Sequence, residues 1–67
     1  MRFLSDLGFD KDEIKNFKDN TADVMLETLE NNKKLVKTNI QYLMELGVKN
    51  IHDIFFHYYE LFLMDYS

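Results

Sequence analysis

The chain has 67 residues, 46% of them hydrophobic and 30% charged, a formal charge of −4 at pH 7, and neither cysteine nor proline. That apolar content excludes a disordered tail, and the lack of cysteine excludes disulfide staples and thiolate metal sites. The negative charge disfavours broad attraction to nucleic acid or anionic membrane, since both need a positive protein surface.

A chain of this length makes one domain, residues 1–67, and buries only about 60% of the surface that its unfolded form exposes. Helix packing or oligomerisation has to supply the stability. With no proline and only Gly8 and Gly47 as hard breaks, the expected fold is all-α: a small three- to four-helix domain rather than a turn-rich sheet.

The first element is a short turn of helix that stops in "FLSDLGFD". Gly8 reaches the left-handed conformation without a Cβ clash, and Phe9 can fold back on the last turn. A second helix is expected from Asp10 to about Asp19. Asp10 with Glu13 forms a capping-box pattern, and Phe9 can staple to Ile14. Asp19, Asn20 and Thr21 then offer a turn and a cap for the next start.

From Thr21 to Leu46 the apolar pattern runs on as one long central helix, about 38 Å at 1.5 Å per residue. Met25, Leu26, Leu29, Val36, Ile40, Leu43 and Met44 share one face, and Leu35, Tyr42 and Leu46 form a narrower second stripe. "YLMELGVK" repeats the first stop at Gly47, with Val48 as its apolar follower. Asn50 is the expected cap of the last helix and Asp53 its early-turn acid.

The last helix should run from Ile51 to about Asp65. Projected at 100° per residue, Ile51, Ile54, Phe55, Tyr58, Leu61 and Phe62 make one apolar face, and His52, Phe56, Tyr59 and Leu63 a second. One face is expected in the core. The other is expected to meet a partner, because a large exposed apolar patch marks an interaction surface.

The phrases "LSDLGFDKDEI" and "LMELGVKNIHDI", each followed by an aromatic or aliphatic helix, resemble the helical repeat of mitochondrial transcription termination factor (mTERF)-like proteins. Leu7, Gly8, Phe9 and Ile14 match that pattern best; Thr21 or Glu60 stands where the family has a proline. The resemblance spans one repeat plus the opening of the next. It implies a helix-turn-helix geometry, a stacked solenoid and nucleic-acid binding. A solenoid needs about three repeats, so a lone unit implies completion by another chain.

The expected interface residues are Leu35, Tyr42 and Leu46 on the central helix with Phe56, Tyr59 and Leu63 on the last, and the expected partner is another protein or a second copy. Lys33, Lys34 and Lys37 form the basic cluster that would meet phosphates; the alternative is a solvated face balanced by Glu27 and Glu30. Asp53, His57 and Glu60 align on one helix face, which reads as a solvated polar strip rather than a metal site. The aromatic set around Phe55 reads as core plus interface, or as a base-stacking platform. No cofactor and no catalysis are expected. Ser5 and Ser67 lie near the ends, and no glycine-rich phosphate loop occurs. Without an apolar leader or a span of about 18 uncharged residues, the expected location is cytoplasmic and not in a membrane.

Overall fold

The computed structural model describes residues 1–65 and is all-α. Its elements are α1 (Arg2–Asp6), α2 (Lys11–Asp19), α3 (Asp23–Asn31), α4 (Lys33–Glu45), α5 (Ile51–Tyr58) and a 3₁₀ helix (Tyr59–Leu63). Among the described residues no strand occurs.

The two glycines end α1 and α4 in the same way. Gly8 and Gly47 have φ values of 91° and 85°. The Gly8 amide donates to the Ser5 carbonyl at 3.0 Å and the Phe9 amide to the Leu4 carbonyl at 3.1 Å. The Gly47 amide donates likewise to Met44 at 3.0 Å, and the Val48 amide to Leu43 at 3.2 Å. Both are Schellman stops, in which crossed bonds satisfy the last carbonyls of the helix. Leu4 and Phe9 are buried, while Leu43 and Val48 pack against the core as half-buried neighbours.

Helix α2 begins at the expected Asp10 cap, but not through the expected capping box: the Asp12 amide rather than that of Glu13 donates to Asp10, and the Glu13 carboxylate lies toward His52. Asp10 is extended, and its carboxylate accepts from the Asp12 amide at 3.4 Å. Phe9 and Ile14, on either side of that cap, are both buried in one core. After α2 the chain departs from expectation. Ala22, not Thr21, occupies the cap position of α3, with no side-chain bond to it. Asn20 instead donates its side-chain amide back to the Asn16 carbonyl at 2.8 Å, closing α2.

The single long central helix is corrected to two, with the break at Asn32, whose φ and ψ are −114° and 25°. A continuous helix of about 38 Å is longer than the 30 Å greatest extent of the fold. Asn32 serves both pieces. Its side-chain amide donates to the Thr28 carbonyl at 2.8 Å, ending α3, and its own carbonyl accepts from the Val36 amide at 3.0 Å, starting α4. Asparagine favours such local bonds over a helix interior. The break lets Leu29 of α3 bury fully beside Val36 and Ile40 of α4, each 0% exposed.

The last helix is also shorter than expected. It gives way at Tyr58, with φ and ψ of −132° and 38°, to the tighter 3₁₀ helix. Phe62 is thereby turned into the core, its ring 5.3 Å from that of Phe55. Asn50 stands at the cap of α5, but with φ and ψ of −106° and 39° it makes no side-chain bond there. Its carbonyl accepts from the Ile54 amide at 3.0 Å.

An aromatic cluster joins α2 to the C-terminal third of the chain. Phe55 is 0% exposed. Its ring lies 5.6 Å from Phe9, 5.7 Å from Phe17 and 5.8 Å from Phe56. Tilted and edge-on pairs at these distances add about 0.5–1.5 kcal/mol each to the area they bury. Among the described residues no polar or charged residue is buried, so the core is wholly apolar.

Candidate functional site

Of the six residues expected at an interface, Tyr42 and Leu46 are exposed, at 58% and 62%. Leu35, Phe56, Tyr59 and Leu63 are half-buried. For Phe56 and Tyr59 the reason is Phe9, just before α2, and Phe17 on it. Phe9 stacks on His52 at 4.1 Å and meets Phe56 at 5.5 Å, while Phe17 meets Phe56 at 5.3 Å and Tyr59 at 5.4 Å. The face of α5 assigned to a partner is thus largely covered from within the same chain. Glu13, one turn along α2, also reaches this face, its carboxylate 4.0 Å from His52 Nδ1.

The exposed apolar surface lies on the other side. Tyr58 and Leu61, expected in the core, are exposed at 61% and 47%, and Met64 at 54%. Projection at 100° per residue already fails at Tyr58, whose φ and ψ of −132° and 38° leave the α-helical range. Beyond it a 3₁₀ helix turns 120° per residue, so Tyr59 and Phe62 share one side and Leu61 swings outward.

An apolar cleft of about 450 Å³ opens between α4, α5 and the 3₁₀ helix, lined by Asn39, Tyr42, Leu43, Ile54, Leu61 and Phe62. Leu46 lies one turn beyond Tyr42 on α4, and Tyr58 one turn beyond Ile54 on α5. The 3₁₀ helix is held here by Asn39, whose side-chain amide donates to the carbonyls of Phe62 and Met64, each at 2.8 Å. Sequence reading missed Asn39. The only available signal was its place on α4 one turn before Leu43, with nothing to indicate its partners.

Lys33, Lys34 and Lys37 come together at the start of α4, and Arg2 of α1 joins them in a cleft of about 310 Å³ shared with Phe3, Asp6 and Glu30. The first turn of α4 carries no acid. Lys33 and Lys34 therefore sit at the positive end of the helix dipole, where cations are disfavoured by a few tenths of a kcal/mol.

Asp53 and His57 line a third cleft, against Glu13, Asn16 and Phe17 of α2. Glu60 belongs to the 3₁₀ helix and not to α5, so the three side chains do not continue one α-helical strip. Among the described residues no group of three histidines or carboxylates is placed to hold a metal ion. Ser5 is exposed on α1, and Ser67 lies outside the described residues. No described helix is long and apolar enough to cross a membrane.

Comparison with protein-family models, with curated proteins and with solved structures finds no match. The functional reading therefore rests on the all-α class and on the clefts and exposed side chains of the described residues.

Proposed function

We propose that this chain is a small helical protein-interaction module with no catalytic activity of its own, working in the cytoplasm. It binds through the surface formed by Tyr42 and Leu46 of α4, Tyr58 of α5, and Leu61 and Met64 after it. The supporting observation is that Tyr42 and Leu61, 58% and 47% exposed, line one apolar cleft, while Leu46, Tyr58 and Met64, 54% to 62% exposed, lie within four residues of them in the chain. Apolar residues scattered singly over a surface are ordinary, as Val24 on α3 is, but a contiguous rimmed patch marks an interaction surface.

Site-specific photo-crosslinking tests this reading. A photoreactive residue at Tyr42 or at Leu46, in cells that make the protein, is expected to give discrete covalent adducts with one partner or with a second copy. The same group at Lys15 or Val24 is expected to give none. A monomer at high concentration with no adduct at either α4 position removes the proposal.

A second reading, nucleic-acid backbone contact of the kind the mTERF-like resemblance implies, has one specific observation in its favour. Arg2 joins Lys33, Lys34 and Lys37 in one cleft, and the lysines are placed against the dipole of their own helix. Local charge placement that costs stability is a mark of functional sites. Asp6 and Glu30 in the same cleft weaken that positive field. Retention of an oligonucleotide at low salt, lost on changing Lys33, Lys34 and Lys37 to Ala, supports this reading, and no retention at low salt ends it.

A further inference from the structure

We propose that the cleft between α4, α5 and the 3₁₀ helix takes the apolar face of a basic amphipathic helix from another protein; this rests on the interaction reading and names the partner's chemistry. The form of the partner follows from the backbone. An extended peptide gains its affinity by hydrogen-bonding to an open strand edge, and the described residues hold no strand. A helix satisfies its own amides and carbonyls, so it can enter a wholly helical surface with side chains alone. The cleft offers little polar competition. Its lining is apolar apart from Asn39, whose amide nitrogen already donates to two carbonyls, and the Tyr42 hydroxyl. Its volume of about 450 Å³ falls in the ordinary range for binding clefts, about 300–1,000 Å³.

The charge of the partner follows from the rim. Glu45 and Glu60 are the carboxylates that bear on this surface, with Lys49 the nearest lysine in the chain; Asp53 lies in the other cleft, against α2. Glu45 and Glu60 are exposed and directly precede Leu46 and Leu61 in the chain. Leu46 is the C-terminal cap of α4, where the helix dipole adds further negative potential. The lysines at the start of α4 do not neutralise this end. Lys37, the nearest of them, is about 13 Å from Leu46 along the helix, beyond the Debye length of about 8 Å at physiological ionic strength. A second copy docked by the same patch would set this acidic rim against itself, because a two-fold contact uses the same surface on both subunits. A helix with Lys or Arg flanking its apolar stripe meets the cleft with apolar contact at the centre and opposite charge around it.

Three synthetic helical peptides of about 18 residues, five turns, test the assignment. All share one leucine stripe at three- and four-residue spacing, and the other outward positions are Lys, Gln or Glu. Each is titrated into the full-length isotopically labelled chain and followed by amide chemical shifts. The Lys peptide is expected to bind about ten-fold or more tighter than the Glu peptide, with shifts centred on Tyr42, Leu46, Tyr58 and Leu61. The preference should shrink as salt is raised and reverse in the E45K/E60K double variant, whose exposed positions leave the fold intact. Equal affinity for all three peptides at this cleft overturns the basic partner but leaves the interaction reading standing. Binding elsewhere, or by none of the peptides, overturns the basic helix as occupant, and the crosslinking experiment then decides the interaction reading separately. Concentration-dependent shifts of the same amides without peptide assign the cleft to a second copy and also overturn the proposal.

Discussion

The side-chain amide of Asn39 donates at 2.8 Å to the carbonyl of Phe62, twenty-three positions further along the chain. The same nitrogen donates at 2.8 Å to the Met64 carbonyl. Two carbonyls at the end of a 3₁₀ helix thus find partners that the helix itself cannot provide. This clamp fixes where the C-terminal segment lies, and so it sets one wall of the apolar cleft.

Replacing Asn39 by Ala should cost about 1–2 kcal/mol, since each lost bond of a half-buried pair contributes about 0.5–1.5 kcal/mol. Asn39→Asp should cost more, because a carboxylate oxygen then faces two carbonyl oxygens. Urea unfolding gives both values. Equal stability of all three proteins would mean that the clamp contributes nothing.

The glycine stops make a prediction with two signs. A Cβ built on Gly8 or Gly47 meets no atom within 4 Å, so only the positive φ resists substitution. Gly47→Ala should destabilise by about 1–2 kcal/mol through left-handed backbone strain. D-alanine at the same position, accessible by chemical synthesis of a chain this short, prefers that φ. It should stabilise by about 0.4–1 kcal/mol through the restricted unfolded state. Thermal unfolding of the two synthetic proteins checks the pair, and shifts of the same sign would contradict the account.

Phe55→Ala should remove about 3–5 kcal/mol, the usual cost of emptying a buried aromatic site. A domain of this size holds roughly 3–10 kcal/mol in total, so the variant should be largely unfolded at room temperature. Tyr58→Ala, three residues on and 61% exposed, should stay within about 0.5 kcal/mol of the parent. Circular dichroism separates the two at once.

Asn32→Ala should act oppositely in the whole protein and in a fragment. In the folded chain it deletes the 2.8 Å bond to the Thr28 carbonyl and should cost about 1 kcal/mol. In an isolated peptide of residues 21–46 it should raise helix content, because alanine is the better helix former by about 0.7 kcal/mol. A gain in both would mean that the Asn32 side-chain bond contributes nothing to holding the break.

The parts of the fold legible in the sequence are those decided within one turn of chain. The glycine stops, the Asp10 cap and the span of α2 depend on backbone dihedrals and bonds between near neighbours. The phrases around Gly8 and Gly47 do fold into the same motif. The helix break at Asn32 was harder to see, because asparagine is tolerated in helices and the gain that favours the break comes from Leu29 burying beside Val36 and Ile40. The candidate surface was legible in half. Tyr42 and Leu46, expected to be covered by a partner, are exposed in the chain by itself. Phe56 and Tyr59 differ because two apolar faces on one helix do not reveal which of them a distant helix will cover.

Amino-acid order alone therefore determined the all-α class and both Schellman stops, since each follows from local conformational energy and apolar spacing. Tertiary structure decided the rest. Phe9 and Phe17 chose which face of α5 to bury, and Asn39 drew the chain end into a 3₁₀ helix across α4. Those are contacts between residues far apart in the chain, where many pairings satisfy the same pattern and only simultaneous packing selects one. The side chains that this selection left exposed, Tyr42, Leu46, Tyr58 and Leu61, form the surface on which the proposed function depends.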